Sequence, residues 1–130
     1  MENITLQEGI TGNSTQQVEK KQTAAAYGSG LVEAFATPAM VAFMENTCLQ
    51  SIEPHLPDTH SSVGIKISVT HEKATPVGMQ VFCISRLIEI DRKRLVFEVE
   101  ARDEQGIIGR GQHQRFIIDK EKFMKNIRKS

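Results

Sequence analysis

The chain has 130 residues, and its 16 basic and 16 acidic side chains give a formal net charge of zero at pH 7. A balanced charge provides no overall attraction to nucleic acid or to an anionic membrane surface, which argues against both as partners. With 39% hydrophobic and 25% charged residues, the chain is long enough to form a core without disulfides or metals. We therefore expect one domain that spans residues 1–130.

The cysteines and the apolar runs indicate the compartment. Cys48 and Cys83 stand in apolar surroundings without the spacing of metal ligands, which favours small buried side chains in a reducing compartment over a disulfide. No apolar run approaches the roughly 18 residues of a membrane span, and the N-terminus lacks the apolar core of a signal peptide. We expect a cytoplasmic protein with neither a metal nor a cofactor.

The first 36 residues carry weak structural signals. The polar stretch up to residue 30 contains one possible strand, residues 14–18, and a predicted loop, residues 23–30. Residues 31–35 predict a short helical segment that leads into the next element.

The longest predicted helix covers residues 37–54. Thr37 can cap its first turn, Pro38 suits the first helical position, and Pro54 marks its end. At about 100° per residue, five apolar residues fall on one stripe: Val41, Met44, Cys48, Leu49 and Ile52. Glu45 falls inside that stripe, although glutamate is almost never fully buried without a partner. This carboxylate is the most unusual feature of the sequence and marks a candidate site.

The second half of the chain predicts strands. Apolar and polar residues alternate from residue 64, which predicts a half-buried strand with His71 at the end of its apolar face. Further strands are predicted at residues 79–90 (central in the sheet), 95–102 and 107–118, followed by a helix at 120–128. Gly109 and Gly111 in the last strand indicate a bulge or a close approach of the backbone. The pattern predicts an α+β fold in which a meander of at least four antiparallel strands wraps around the long helix.

Three side chains are candidates for chemistry. Glu45 and His71 are both predicted to face the interior, where an acid can orient an imidazole and stabilise its cation. The alternative is a structural ion pair of Glu45 with His71 or Arg115. Thr37 lies eight residues before Glu45, a rise of about 12 Å in one helix. The two act together only if the chain bends, the substrate spans them or a second subunit completes the site. His113 shares a face with Arg115 on the last strand, which is expected to be a solvated edge.

Four segments, in this order, resemble the hot-dog thioesterases of the fluoroacetyl-CoA thioesterase-like group. They are ATPAMVAFME at residues 36–45, VGI at 63–65, SVTHEKATPVG at 68–78 and GRGQHQR at 109–115. The resemblance covers residues 30–128, and its specificity lies in the order and spacing of the segments. It implies a hot-dog fold, an antiparallel sheet wrapped around a central helix, and a homodimer with sites at the subunit interface. It also implies hydrolysis of an acyl-CoA thioester.

The resemblance also implies roles for individual residues. The residues that match the group's catalytic threonine, glutamate and histidine are Thr37, Glu45 and His71. Gly64 matches a glycine whose backbone N–H approaches the thioester carbonyl, and Arg115 matches an arginine beside the site. Leu31 belongs to the substrate-lining segment YGSGLV at residues 27–32, which lacks the bulky aromatic lining of the fluoroacetyl-specific enzyme. This departure favours a different short acyl chain.

Other functions compete with the thioesterase hypothesis. A non-catalytic protein that binds acyl-CoA or another small apolar ligand needs the pocket but not a titrating acid. A cone-shaped α+β fold of the ketosteroid isomerase type would use Glu45 or His71 to abstract a proton. A purely structural interaction module leaves Glu45 unexplained. Release of CoA from a panel of short acyl-CoAs separates the first hypothesis from the rest.

Overall fold

The computed structural model describes residues 4–129, and residues 1–3 and 130 lie outside that range. The strands are β1 (Thr11–Gln17), β2 (His60–Val69), β3 (Gln80–Asp91), β4 (Arg94–Asp103) and β5 (Gly106–Asp119). The helices are α1 (Ala24–Tyr27), α2 (Thr37–Ile52) and α3 (Lys120–Lys129), with 3-10 turns at Lys20–Gln22 and Glu53–His55. Within this part of the chain, the helices are too short or too polar to cross a lipid bilayer.

Helix α2 is the predicted long helix, but its cap lies one residue earlier than expected. Ala36 is extended and occupies the cap position, so Thr37 is the first helical residue and its hydroxyl is left for another partner. Pro38 lies in the first turn, where its missing N–H costs nothing. The helix ends at Ile52 and passes into the 3-10 turn that contains Pro54, which confirms the predicted stop.

The five strands form one antiparallel sheet in the order β1-β3-β4-β5-β2. Only β3, β4 and β5 form a meander, so the predicted four-stranded meander is wrong for β2, which pairs with β5. The connection from Val69 to Gln80 is too long for a tight hairpin, so it does not force β2 and β3 to be neighbours. Because β5 lies between β4 and β2, the solvated edge predicted for His113 and Arg115 is also wrong.

The core lies between α2 and the inner face of the curled sheet. The buried face of α2 consists of Ala39, Met40, Phe43, Met44, Thr47, Cys48 and Ile52. It packs against apolar residues of the central strands: Val81, Leu87, Leu95, Phe97, Val99, Ile108 and Ile117. Each large apolar side chain buried here stabilises the fold by about 2 kcal/mol. This burial fixes the position and the rotation of α2.

Both cysteines are buried and free, as predicted. Burial is the main cause that raises the pKa of Cys48 to about 12, so this thiol stays protonated. The two side chains act as small core residues rather than as nucleophiles.

The segment before α2 differs from the prediction. Residues 31–35 form a bend and two isolated bridges instead of a helix, with Ala34 opposite Pro76 and Phe35 opposite Thr23. Phe35 is 2% exposed, and burying its ring outweighs the local helical preference of the segment. The predicted loop at residues 23–30 contains α1, which ends at Gly28 in a left-handed conformation. The predicted strand at residues 14–18 is β1, which begins three residues earlier.

Candidate functional site

Thr37 and His71 are in contact at the start of α2. The Thr37 Oγ1 atom lies 2.7 Å from His71 Nδ1. Two neighbouring segments bring them together, since the Phe35 N–H donates to the Thr75 carbonyl at 2.8 Å and Ala34 bridges to Pro76. The hydroxyl predicted to cap the helix is therefore paired with an imidazole.

Asp103, at the end of β4, anchors the segment that carries His71. Its side chain is fully buried and accepts hydrogen bonds from Lys73 Nζ at 2.6 Å and Thr75 Oγ1 at 2.9 Å. Burial alone would raise the pKa of Asp103, but these bonds and one from the Gln105 N–H outweigh it and lower the pKa. The signal for Asp103 in the sequence is the alternation of β4, which places it on the buried face of that strand.

The same segment also lies against β5. The Thr70 N–H donates to the Arg110 carbonyl, and the Glu72 N–H donates to the Ile108 carbonyl. A Cβ atom at Gly109 would lie 2.3 Å from the Thr70 carbonyl oxygen, so the absence of a side chain permits this contact. The close approach predicted at Gly109 is confirmed. It anchors the segment that carries His71 to β5, in addition to its anchor at Asp103.

His71 is suited to accept a proton. Burial lowers the pKa of its imidazole, so the ring is neutral near pH 7. Its Nε2 atom is buried and has no hydrogen-bond partner among residues 4–129. A neutral ring that accepts a hydrogen bond from a hydroxyl can take its proton when the oxygen attacks an electrophile.

Glu45 belongs to a second group of residues, more than two turns along α2. Its side chain is 39% exposed, and its Oε2 atom lies 4.0 Å from His113 Nε2. A Cβ atom at Gly64 would lie 2.7 Å from Glu45 Oε2, 3.1 Å from His113 Cε1 and 3.6 Å from Arg115 Nη1. Glu45, Gly64, His113 and Arg115 therefore meet beside the open edge of β2.

The predicted pairing of Glu45 with His71 inside one chain is wrong, because the imidazole that faces Glu45 is that of His113. Periodicity correctly placed Glu45 on the side of α2 that faces the sheet and placed His71 near that helix. It does not give the distance between the two side chains along the helix axis. Glu45 lies at the rim of the core rather than in its centre. The sequence analysis placed His113 and Arg115 on one face of the last strand but expected a solvated edge there, so it did not place His113 beside Glu45.

Arg115 is a buried cation with fixed hydrogen bonds. It is 6% exposed. Its Nε and Nη2 atoms donate to the Ser62 hydroxyl at 2.7 Å and the Ser62 carbonyl at 2.8 Å, and its Nη1 donates to His113 Nε2 at 3.1 Å. All three acceptors are neutral, and burial lowers the pKa of Arg115 without removing its charge at neutral pH. The cation therefore favours negative charge developing nearby.

The second group opens into a cleft of about 380 Å³ between α2 and β2, which is lined by Ala42, Glu45, Asn46, Leu49, Ser62, Val63, Gly64 and Arg115. Three other clefts, of about 460, 610 and 390 Å³, lie elsewhere, and the predicted catalytic residues line none of them. Leu31 is 99% exposed and does not line the cleft within one chain. Residues 4–129 hold no cluster of His, Cys, Asp and Glu side chains able to bind a metal ion.

The two groups remain apart within one chain. Thr37 and Glu45 lie in one continuous helix, and eight residues correspond to about 12 Å of rise. The structure thus pairs Thr37 with His71 and gathers Gly64 and Arg115 around Glu45, but it does not unite the two sets.

Comparisons with known proteins match most of the chain. The family model for FlK, fluoroacetyl-CoA-specific thioesterase, matches residues 18–121. The fluoroacetyl-CoA thioesterase of Streptantibioticus cattleyicolor is 40% identical over 96 residues, which cover 74% of this chain and 69% of that protein. A solved structure of the fluoroacetyl-CoA thioesterase FlK has a TM-score of 0.91 at 32% identity, covering 96% of this chain and 97% of the other. A Thermus thermophilus hypothetical protein described as a thioesterase superfamily member has a TM-score of 0.88 at 27% identity, covering 99% and 94%.

The neutral imidazoles predict how stability depends on pH. Burial lowers the pKa of His71 and His113 from the ordinary value of 6.5, so the unfolded chain binds more protons at mildly acidic pH. Their contribution to the free energy of unfolding is complete above pH 6.5 and is lost as pH falls towards the lowered values. Urea denaturation between about pH 5 and 8 should show this loss, and His113→Gln should reduce it. An identical pH dependence in the variant would contradict the assignment.

Proposed function

The chain belongs to the family of fluoroacetyl-CoA-specific thioesterases and is a thioester hydrolase with the hot-dog fold, and we propose that it hydrolyses a short-chain acyl-CoA at a site completed by a second copy of the chain. The family excludes the isomerase, the purely structural module and the non-catalytic binder. The observation that carries the proposal is the 2.7 Å contact between Thr37 Oγ1 and His71 Nδ1, because it pairs a hydroxyl with a neutral base.

The size of the cleft supports a short acyl group. Its volume of about 380 Å³ lies near the lower end of the range for small-molecule sites. This space suits a small acyl group, with most of the CoA outside. The segment before α2 carries the aliphatic Leu31 and Val32 and lacks the bulky aromatic lining that the resemblance assigns to the fluoroacetyl-specific enzyme, which favours an acyl group other than fluoroacetyl.

In the first proposed step, Thr37 attacks the thioester. The Thr37 Oγ1 atom forms a bond to the carbonyl carbon while its proton passes to His71 Nδ1. The backbone N–H of Gly64 and the cation of Arg115, both from the second copy of the chain, stabilise the oxyanion that forms. The carbon–sulfur bond then breaks, CoA leaves with the proton held by His71, and the acyl group remains as an ester on Thr37.

In the second proposed step, Glu45 activates water. Its half-exposed carboxylate accepts a proton from a water molecule, whose oxygen attacks the ester carbonyl. The ester bond to Thr37 then breaks, the carboxylic acid leaves, and Thr37 Oγ1 takes the proton that Glu45 had accepted from water. The missing side chain at Gly64 supports this role, because a Cβ atom there would lie 2.7 Å from Glu45 Oε2 and block the approach.

A homodimer would bring Thr37 and Glu45 together. The edge of the sheet at β2 is unpaired in one chain, and Ile65 is 50% exposed at a bulge beside Gly64. The exposed Leu31 likewise suits contact with a partner. We infer that two copies pair at β2, so that Thr37 and His71 of one protomer meet Glu45 of the other. Pairing would also cover an edge strand that otherwise invites aggregation.

Changing Glu45 to Gln tests the order of the two steps. A panel of short acyl-CoAs that includes fluoroacetyl-CoA first identifies the preferred substrate by CoA release. With that substrate, Glu45→Gln should lower turnover by roughly a hundredfold or more, since the amide cannot activate water. Mass spectrometry of peptides from the digested protein should find the acyl group on Thr37. Glu98→Gln, on an exposed strand position, is the control and should behave like the unchanged enzyme. Full turnover by Glu45→Gln would contradict the role.

The dimer interface has a matched test of its own. Ile65 and Ile84 are exposed to nearly the same extent, 50% and 52%, but Ile65 lies on the β2 edge and Ile84 on central strand β3. Light scattering should give twice the chain mass for the unchanged protein and for Ile84→Asp. Ile65→Asp should give a monomer with little activity, because a buried unpaired carboxylate is costly. A fully active monomer would refute the shared site.

A further inference from the structure

His113 is a buried histidine that the proposed steps leave without a role. It lies on β5 between Phe97 of β4 and Ile67 of β2 and is only 1% exposed. Its ring stacks on that of Phe97 with the centroids 6.4 Å apart. An apolar side chain would fill this position more easily, because a buried polar group is costly unless it is hydrogen-bonded. The partners of its two nitrogen atoms therefore bear on its role.

Its partners determine its protonation state. The Nδ1 atom lies 2.8 Å from the Lys66 carbonyl oxygen, and a carbonyl only accepts, so Nδ1 carries the hydrogen. The Nε2 atom lies 3.1 Å from Arg115 Nη1, and a guanidinium only donates, so Nε2 is the acceptor. Only the neutral ring with hydrogen on Nδ1 satisfies both partners. Protonation at Nε2 would break the bond to Arg115 and place two cations together.

The surrounding groups agree with this assignment. Arg115 on β5 disfavours the charged ring and Glu45 on α2 favours it, while the Phe97 ring on β4 is uncharged. Burial is the largest influence, and the pKa of His113 is lowered. The ring is therefore a fixed acceptor rather than a group that exchanges protons during turnover.

We propose that His113 is a positioning residue that, through Nε2, holds the Arg115 guanidinium at the point where Glu45 and Gly64 meet. Ser62 binds the Nε and Nη2 atoms of Arg115, and His113 fixes the remaining nitrogen, Nη1, which lies nearest Gly64. Without this acceptor, the planar guanidinium tilts as one unit on its bonds to Ser62, drawn by the attraction of Glu45, and Nη1 leaves its place. The effect on turnover rests on the proposed function, whereas the effect on Arg115 does not.

Three substitutions separate the acceptor from the rest of the ring. His113→Gln places an amide oxygen near the position of Nε2, so it can still accept from Arg115. The shorter side chain in His113→Asn extends only to the position of Nδ1, so it cannot accept a hydrogen bond from Arg115. His113→Phe keeps the ring volume and the contact with Phe97 but loses both hydrogen bonds. All three substitutions remove the titratable imidazole. Differences among the variants therefore show the effect of a hydrogen-bond acceptor for Arg115 at residue 113.

The first readout is the order of Arg115 in solution, which needs no substrate. With nitrogen-15-labelled arginine and Arg115→Lys for assignment, the unchanged protein and His113→Gln should show separate, slowly exchanging Nη–H signals for Arg115. His113→Asn and His113→Phe should lose them while melting cooperatively. Equal signals in all four proteins would overturn the proposal, whether or not any acyl-CoA is hydrolysed.

The second readout is turnover of the preferred acyl-CoA. Misplacing a charged group by about 1 Å can cost up to a hundredfold in rate, so His113→Asn and His113→Phe should lower kcat by roughly tenfold to a hundredfold. His113→Gln should recover most of that loss. Equal kcat values in the Asn, Gln and Phe variants would overturn the proposal. If the unchanged protein hydrolyses no acyl-CoA while its Arg115 signals follow the acceptor, the proposed function fails and the positioning of Arg115 stands.

Discussion

The packing of α2 against the curled sheet is the constraint on which the whole site depends. One face of the helix is buried along its length, so the helix can neither rotate nor slide. Thr37 therefore meets the segment after β2, and Glu45 meets residues of edge strand β2 and its neighbour β5. Eight residues of rigid helix hold these two side chains about 12 Å apart. This separation is the basis of the proposal that a second copy of the chain completes the site.

Much of the fold follows from local sequence patterns. The period of α2, the proline at its end and the alternation of β3 to β5 led to the α+β prediction, and the resemblance to the hot-dog thioesterases implied the hot-dog fold; both are confirmed. The position of β2 could not be predicted, because period-two alternation identifies a strand but not its neighbour. The bend at residues 31–35 depends on the burial of Phe35, which is a tertiary effect. Both errors concern contacts between residues distant in sequence.

For the candidate site too, local sequence patterns identified individual residues but not the contacts between them. A carboxylate in an apolar stripe identified Glu45, and the end of an apolar strand face identified His71. Neither pattern states how far along the helix axis a side chain lies, so Glu45 was paired with the wrong imidazole. The role of His113 depends on β5 being a central strand, which no local pattern reveals. Thr37 was expected to cap the helix, and a shift of one residue leaves its hydroxyl to His71 instead.

A complementation experiment tests most directly whether two protomers share one site. Thr37→Ala and Glu45→Gln chains, each inactive alone, are unfolded together, refolded and assayed. If Thr37 of one protomer works with Glu45 of the other, each mixed dimer holds one intact site, and random pairing restores about a quarter of the unchanged activity. If both residues act within one protomer, the mixture stays inactive, and the shared site is contradicted.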